Sequence, residues 1–434
     1  MIPLTTSQGL SVKEIESLIN NRDIYIWGAG PISSEVYISL KSSGLKPKAF
    51  LKTNTNFVSK EHSEIPVLHP DNVVNSFLNR NTSFIVISSV TFGKKAEQLI
   101  VENTDLRKGI DYIFFTLISR PVAIVDVSGK CNFKCLNSPV GNMRNSLPQG
   151  LMTYQTYEKV FNKLRKDLPM LTRVELSSWS DPLLNKDLSE IINLTEEYIP
   201  SAISTDLTKI TYLEEIIKSQ PSVLNITVNG SENSYERIMP GASWRQLTAN
   251  LRVLNLLLSK YQPKTKVTLK IYAYQCDHKN DIDNIISFAK NMDFNMEIDH
   301  VYLNPYDNIL AYLSNESITN ESKYVINNMT WDISSAVELA KLDINLPCLS
   351  QRFFPVINWN LSVSLCHTYY YPIIAENYLE IDWEDLLLLR HQEKHCYQCQ
   401  QYALHRLDLN ILAKRHPNEF LQIQRRKYDR SINT

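Results

Sequence analysis

The sequence is short of glycine, with 11 in 434 residues, so a glycine beside an apolar run is more informative here than in an average chain. It also lacks a charge excess: 45 Lys and Arg against 46 Asp and Glu leave a formal net charge of −1. That balance removes the global electrostatic basis for binding nucleic acid or an anionic membrane surface. No uninterrupted apolar run reaches transmembrane length, and the opening MIPLTTSQGLSVKEIESLIN has neither the basic nor the apolar block of a secretory signal. These absences lead us to expect a soluble, cytoplasmic protein with no nucleic-acid or membrane partner. What is present is 43% apolar and 21% charged residues, enough for sizeable cores and too much for wholesale disorder. The length predicts two or three domains.

Without an export signal, the seven cysteines are not expected to form a disulfide framework. Cys131 and Cys135 make a tight pair, Cys276 stands alone, and Cys348, Cys366, Cys396 and Cys399 crowd toward the C-terminus. In a reducing compartment such clustering points to metal ligands.

Three regions follow along the chain. The first, residues 1–118, carries Ile24-Tyr25-Ile26-Trp27, an apolar run ending in Gly28-Ala29-Gly30, and further buried-strand patterns at Lys48–Leu51 and Phe84–Ile87. Strands alternating with helical patterns predict a small doubly wound α/β domain. Its glycines suit either a phosphate at a helix N-terminus or a purely structural tight turn. Ser33 stands where the third glycine of the dinucleotide fingerprint falls, and Lys52-Thr53-Asn54 offers no acid for a ribose. The second region, 119–335, has strand patterns at Val122–Val127, Arg173–Leu176, Ala202–Thr205, Val223–Val228, Lys266–Ala273 and Met296–Val301. Helical patterns separate them, among them Tyr154–Leu168, Leu188–Tyr198, Trp244–Ser259 and Asp281–Asn291. Six β/α units in succession predict a curved parallel sheet, a partial (β/α)6 barrel, whose chemistry collects beyond the carboxyl ends of the strands. The third region, 336–434, breaks this rhythm. It holds the C-terminal cysteines and a basic helical tail with Arg425-Arg426-Lys427, read as a solvated helix face.

Cys131-Asn-Phe-Lys-Cys135-Leu-Asn-Ser138 follows directly on the first strand of the second region. This segment resembles the C-x3-C-x2-C loop of the radical S-adenosylmethionine superfamily, with Ser138 at the third cysteine position. Other segments resemble the family's motifs in order. Leu176-Ser-Ser-Trp-Ser-Asp181-Pro182-Leu-Leu is similar to its G-G-E-P-L-L stretch, Ile203-Ser204-Thr205-Asp206 to its S-T-N turn, and Thr227-Val-Asn229-Gly230 with Tyr235 and Arg237 to its fourth-strand motif. The resemblance implies a [4Fe–4S] cluster held by Cys131, Cys135 and Ser138, with soft thiolates suited to iron. It implies S-adenosylmethionine bound by Ser180, Asp181, Thr205, Asp206 and Asn229, and reductive cleavage of that cofactor to abstract hydrogen from a substrate. An electron donor such as flavodoxin or ferredoxin is implied as partner.

The third region resembles the SPASM or twitch extension of these enzymes. Cys348, Cys366, Cys396 and Cys399 are then ligands of one auxiliary [4Fe–4S] cluster, with a four-cysteine zinc site as the alternative. His367 and His395 adjoin these cysteines as neighbours rather than ligands. Cys276 is either an inert buried thiol or a hydrogen-atom donor facing the barrel mouth, and Tyr235 and Tyr274 either pack or line that mouth. The α/β first region favours a sugar-linked or other small-molecule substrate over a peptide. A second reading is a diverged pseudoenzyme, in which Ser138, Asp181, Asp206 and Asn229 mark the loss of the core cluster. The protein then acts as a binding or electron-transfer module.

Overall fold

The computed structural model describes residues 12–29, 33, 36–37, 40–41, 44–52, 65–71, 78–88, 93–114, 122–140, 148–168, 171–277, 279–292, 294–345, 348, 350 and 354–423. Gly30, Thr53, Asn54 and the basic run at 425–427 lie outside them. The chain divides into two compact units, one of residues 1–121 with 168–172 and 345–349, the other of 122–167, 173–344 and 350–434.

The first unit contains α1 (Val12–Ile19), β1 (Asp23–Trp27), β2 (Pro47–Leu51), β3 (Val67–Leu68), β4 (Ser83–Ile87), α2 (Gly93–Asn103) and β5 (Tyr112–Phe114). All five strands are parallel, in the order β3-β2-β1-β4-β5, which is the doubly wound arrangement expected of this region. Strands covered on both faces need continuous apolar runs rather than alternation, and Ser83–Ile87 is buried at every position. Tyr25, Trp27, Ile85 and Ile87 share one core cluster with Ala96 and Ile100 of α2. Gly28 turns the chain out of β1 at φ +132°, and a Cβ there would come 2.5 Å from Ser88 Oγ and 2.8 Å from Ser33 Oγ. Those two hydroxyls hydrogen-bond each other at 2.8 Å, so Ser33 completes the tight turn.

The second unit begins with β6 (Val122–Val125), α3 (Tyr154–Asp167), β7 (Arg173–Glu175), α4 (Leu188–Glu196), β8 (Ser201–Thr205) and α5 (Leu213–Lys218). It continues with β9 (Val223–Asn229), α6 (Tyr235–Ile238), α7 (Trp244–Tyr261), β10 (Lys266–Ala273), α8 (Lys279–Asn291) and β11 (Asn295–His300). Strands β6 to β11 pair in sequence order and all parallel, which is the layout of a partial (β/α)6 barrel. The helices bury one stripe each: Tyr157, Val160, Phe161 and Leu164 of α3 fall at helical spacing. On β9 the buried residues Leu224, Ile226 and Val228 alternate with half-buried Asn225, Thr227 and Asn229. One face of the sheet is therefore apolar and the other polar.

After β11 come α9 (Tyr306–Leu313), α10 (Asn320–Asn328), α11 (Ile333–Ala340), β12 (Val356–Ile357), β13 (Val363–Cys366), β14 (Tyr369–Ala375), α12 (Trp383–Gln392), α13 (Lys394–Gln401) and α14 (Leu409–Arg415). Strand β12 adds to the same sheet beside β6, in parallel, with Val356 opposite Ile124, and β13 and β14 continue it antiparallel. Between β12 and β13, the Trp359 indole lies over two glycines. A Cβ on Gly129 would fall 2.0 Å from its Nε1 and one on Gly150 1.9 Å from its Cζ3. The C-terminal extension is thus packed directly against the segment leading into Cys131. Among the described residues no helix is long and apolar enough to cross a membrane.

Candidate functional site

Because β6, β7, β8 and β9 are parallel neighbours, the residues that follow them share one edge of the sheet. They are Asp126 and the 131–138 loop after β6, residues 177–181 after β7, Asp206 after β8 and Gly230 after β9. Hydrogen bonds tie the cysteine loop to almost all of these neighbours. The Lys130 carbonyl accepts from the Asp181 amide at 3.0 Å, and the Leu136 amide donates to the Ile238 carbonyl at 3.1 Å. Asn132 Nδ2 donates to Thr208 Oγ1 at 3.3 Å. The Asn137 amide donates to the Tyr302 carbonyl, and its Oδ1 accepts from the Asn304 amide at 2.8 Å.

Asp181 lies at the centre, 4% exposed. Its Oδ1 accepts from the Leu183 amide at 2.9 Å, and its two oxygens accept from the Thr205 hydroxyl at 2.9 and 3.0 Å. Its carboxyl also meets that of Asp206, which Thr208 orients through its amide at 3.1 Å and its hydroxyl at 2.6 Å. Burial first and Asp206 second push Asp181 well above the usual carboxylate range. A like charge beside a buried acid disfavours its ionised form.

Cys131 and Cys135 lie within electrostatic reach of this pair. Burial raises the Cys131 thiol to about 12, assisted by Asp206, Asp181 and Cys135. Burial and Asp206 raise Cys135 to about 11. Both therefore stay neutral until a cation arrives, whose own charge reverses the local balance. The Tyr235 hydroxyl, wholly buried beside Asp206 and Cys135, has no hydrogen-bond partner among the described residues. Two soft thiols, the Ser138 hydroxyl on the same loop and a buried phenol near Cys135 fit a group that binds through sulfur and brings hydrogen-bond acceptors. Among the described residues, no three His, Cys, Asp or Glu side chains are gathered closely enough to hold a metal ion.

Asp126 escaped the sequence reading, although an acid at the end of the buried run Val122–Val127 was itself a signal. It is 5% exposed, accepts from the Trp179 amide at 3.2 Å and from the Ser180 hydroxyl, and is pushed up to about 6 by burial. Ser180, expected at the cofactor, thus turns its hydroxyl to Asp126. Asn229 points its amide to Met239 Sδ at 3.4 Å. Thr205, Asp181 and Asp206 are the expected residues that the fold brings together. Trp179 lies edge-on to Tyr370 of β14, with ring centroids 6.2 Å apart.

In the C-terminal extension, Cys396 and Cys399 lie one turn apart on α13, and Cys366 ends β13. Cys399 and Cys366 both adjoin Tyr369 and Tyr306, whose phenols they help burial to push up. Cys366 Sγ is 3.1 Å from Thr368 Oγ1. His395 pairs its Nδ1 with Glu393 at 2.8 Å and sets its ring edge-on to Tyr369. His367 is exposed, with its ring edge-on to Phe354 at a centroid distance of 6.3 Å. Cys348 belongs to the first compact unit. Cys276, after β10, has its Sγ 4.0 Å from the Tyr324 hydroxyl.

No family model and no curated protein matches the chain. Solved structures similar to it include BtrN in complex with AdoMet and 2-DOIA, at 15% identity over 65% of this chain and 86% of that one, TM-score 0.37. SuiB of Streptococcus suis bound to precursor peptide SuiA is 13% identical over 73% of this chain and 83% of its own, TM-score 0.44. The anSMEcpe structure with bound AdoMet is 13% identical over 72% of this chain and 100% of its own, TM-score 0.43.

Proposed function

We propose that the chain is a radical S-adenosylmethionine iron–sulfur enzyme acting on a sugar-linked or other small molecule. The observation that carries this reading is one of order. The Cys131–Cys135 loop, Asp181 and the Thr205–Asp206 turn stand on consecutive parallel strands and converge at one edge of the sheet. In this reading Cys131, Cys135 and Ser138 hold the core cluster, and Asp181, Thr205 and Asp206 receive the amino end of S-adenosylmethionine. When bound, the cluster supplies the electron that splits the cofactor's sulfonium. The protein's own part is to orient and to manage charge. The Thr205 hydroxyl fixes both Asp181 oxygens. An ammonium placed beside Asp181 would favour its ionised form. Cys366, Cys396 and Cys399, with Cys348, are the proposed ligands of an auxiliary cluster, zinc being the other metal that this donor set accepts. The doubly wound first unit supports the small-molecule substrate over a peptide, and the absence of a charge excess accords with it.

Ser138 and Asp206 favour a second reading, a non-catalytic relative that keeps only the C-terminal metal. A serine oxygen is a harder and far less acidic ligand than a thiol, and Asp206 stands where the family's S-T-N turn carries a neutral amide. Anaerobic reconstitution with iron and sulfide separates the two, read by iron counting and low-temperature EPR with and without S-adenosylmethionine. About eight irons per chain and a signal that changes with the cofactor are expected for the enzyme. About four irons and an indifferent signal refute it in favour of the second reading.

A further inference from the structure

The geometry points to Tyr235 as a hydrogen-bond donor to the sulfur atoms of the group held by the Cys131–Ser138 loop, and hence to a role in setting that group's reduction potential. This inference rests on the reading of the loop as a cluster site.

Tyr235 opens α6 just beyond the loop that follows β9. Its side chain is wholly buried, and among the described residues its hydroxyl has no partner. The ring is held edge-on against Trp244, with centroids 5.6 Å apart. The α6 segment is in turn bound to the cysteine loop, because the Leu136 amide donates to the Ile238 carbonyl at 3.1 Å. Phe133 of the loop also packs on the Gly241 turn, which a Cβ would touch at 3.5 Å. The phenol is therefore fixed relative to Cys135 rather than free to find another acceptor. A phenol hydroxyl is a hydrogen-bond donor as well as an acceptor. A buried hydroxyl left unbonded is a standing cost in a folded protein. What removes the cost must bring an acceptor to the space beside Cys135. A metal-bound thiolate or a sulfide does so, because both are anionic sulfur acceptors. Hydrogen bonds to such sulfurs favour the reduced state, which carries the extra negative charge.

The test compares the full-length wild type with Tyr235→Phe, both loaded anaerobically with iron and sulfide and without S-adenosylmethionine. The signal from the loop is identified as the one lost in Cys131→Ala. Equal iron content is expected, with a midpoint shifted to more negative potential by about tenfold in the redox equilibrium, about 59 mV for a one-electron couple. The metal-free Tyr235→Phe protein is expected to be as stable as the wild type or more so, since it loses an unbonded hydroxyl. An unchanged midpoint with the iron in place overturns the inference and leaves the cluster reading standing. A metal-free variant that is less stable than wild type also overturns it, because the hydroxyl then already has a partner within the protein. If Cys131→Ala and Cys135→Ala leave the iron content unchanged, the cluster reading falls and the inference with it.

Discussion

Asp126 offers the most direct test of the electrostatics at the sheet edge. Its carboxyl is pushed up to about 6 from an ordinary 3.8 by burial, against hydrogen bonds from Ser180, Trp179, Ser178 and Ser128 that favour the ionised form. Between those two values the unfolded chain has lost the proton while the folded chain keeps it. Stability therefore falls as pH rises from about 4 to about 6 and is flat above. The whole window is worth about 3 kcal/mol, of which about 2 kcal/mol remains above pH ~4.5. Asp126→Asn removes the titration and leaves every other acid in place. Urea denaturation of both proteins between about pH 4.5 and about pH 7.5 isolates the term as a difference. Wild type should gain about 2 kcal/mol on the variant as pH falls through that range. A difference independent of pH would show that Asp126 is ionised throughout, and would refute the picture of a desolvated acid beneath the 177–181 loop.

Three further outcomes are expected. Gly129→Ala should lower stability by about 1–3 kcal/mol through overpacking against Trp359. Thermal denaturation of the double variant with Trp359→Ala should show less loss than the sum of the single changes, and simple additivity would mean that the indole is not the obstacle. Ser138→Cys should raise iron incorporation at the core loop, and no gain on reconstitution would count against a ligand role for position 138. Cys396→Ala with Cys399→Ala should remove one cluster's iron and leave the signal that depends on Cys131, whereas an unchanged iron count would remove α13 from the metal site.

Much of the architecture was legible because period and composition reflect burial. The run Ile24–Trp27 is continuous because β1 is covered on both faces, while Val223–Asn229 alternates because β9 has one apolar and one polar side. The helical stripe of α3 falls where expected, from Tyr154 to Asp167. The extension was less legible. Val356–Ile357 and Val363–Cys366 are too short to show a period, and they become strands because the free edge of β6 supplies backbone partners. The chemistry-bearing residues divide in the same way. Cys131, Asp181 and Asp206 were found from residue type and order, whereas Asp126 was absorbed into an apolar run.

The sequence by itself determined the two β/α blocks, the order of the strands and the residues at their carboxyl ends, because these follow from local propensity and from the alternation of apolar segments. Only the tertiary structure decided which polar groups answer one another. Asp181 is held well above the usual carboxylate range because adjacent parallel strands bring Asp206, 25 positions away in sequence, beside its buried carboxyl. Ser180 serves Asp126 rather than the mouth, Trp359 fills the room left by Gly129 and Gly150, and among the described residues the Tyr235 hydroxyl is left without a hydrogen-bond partner. These are properties of distance and desolvation, and they exist only once the strands are side by side.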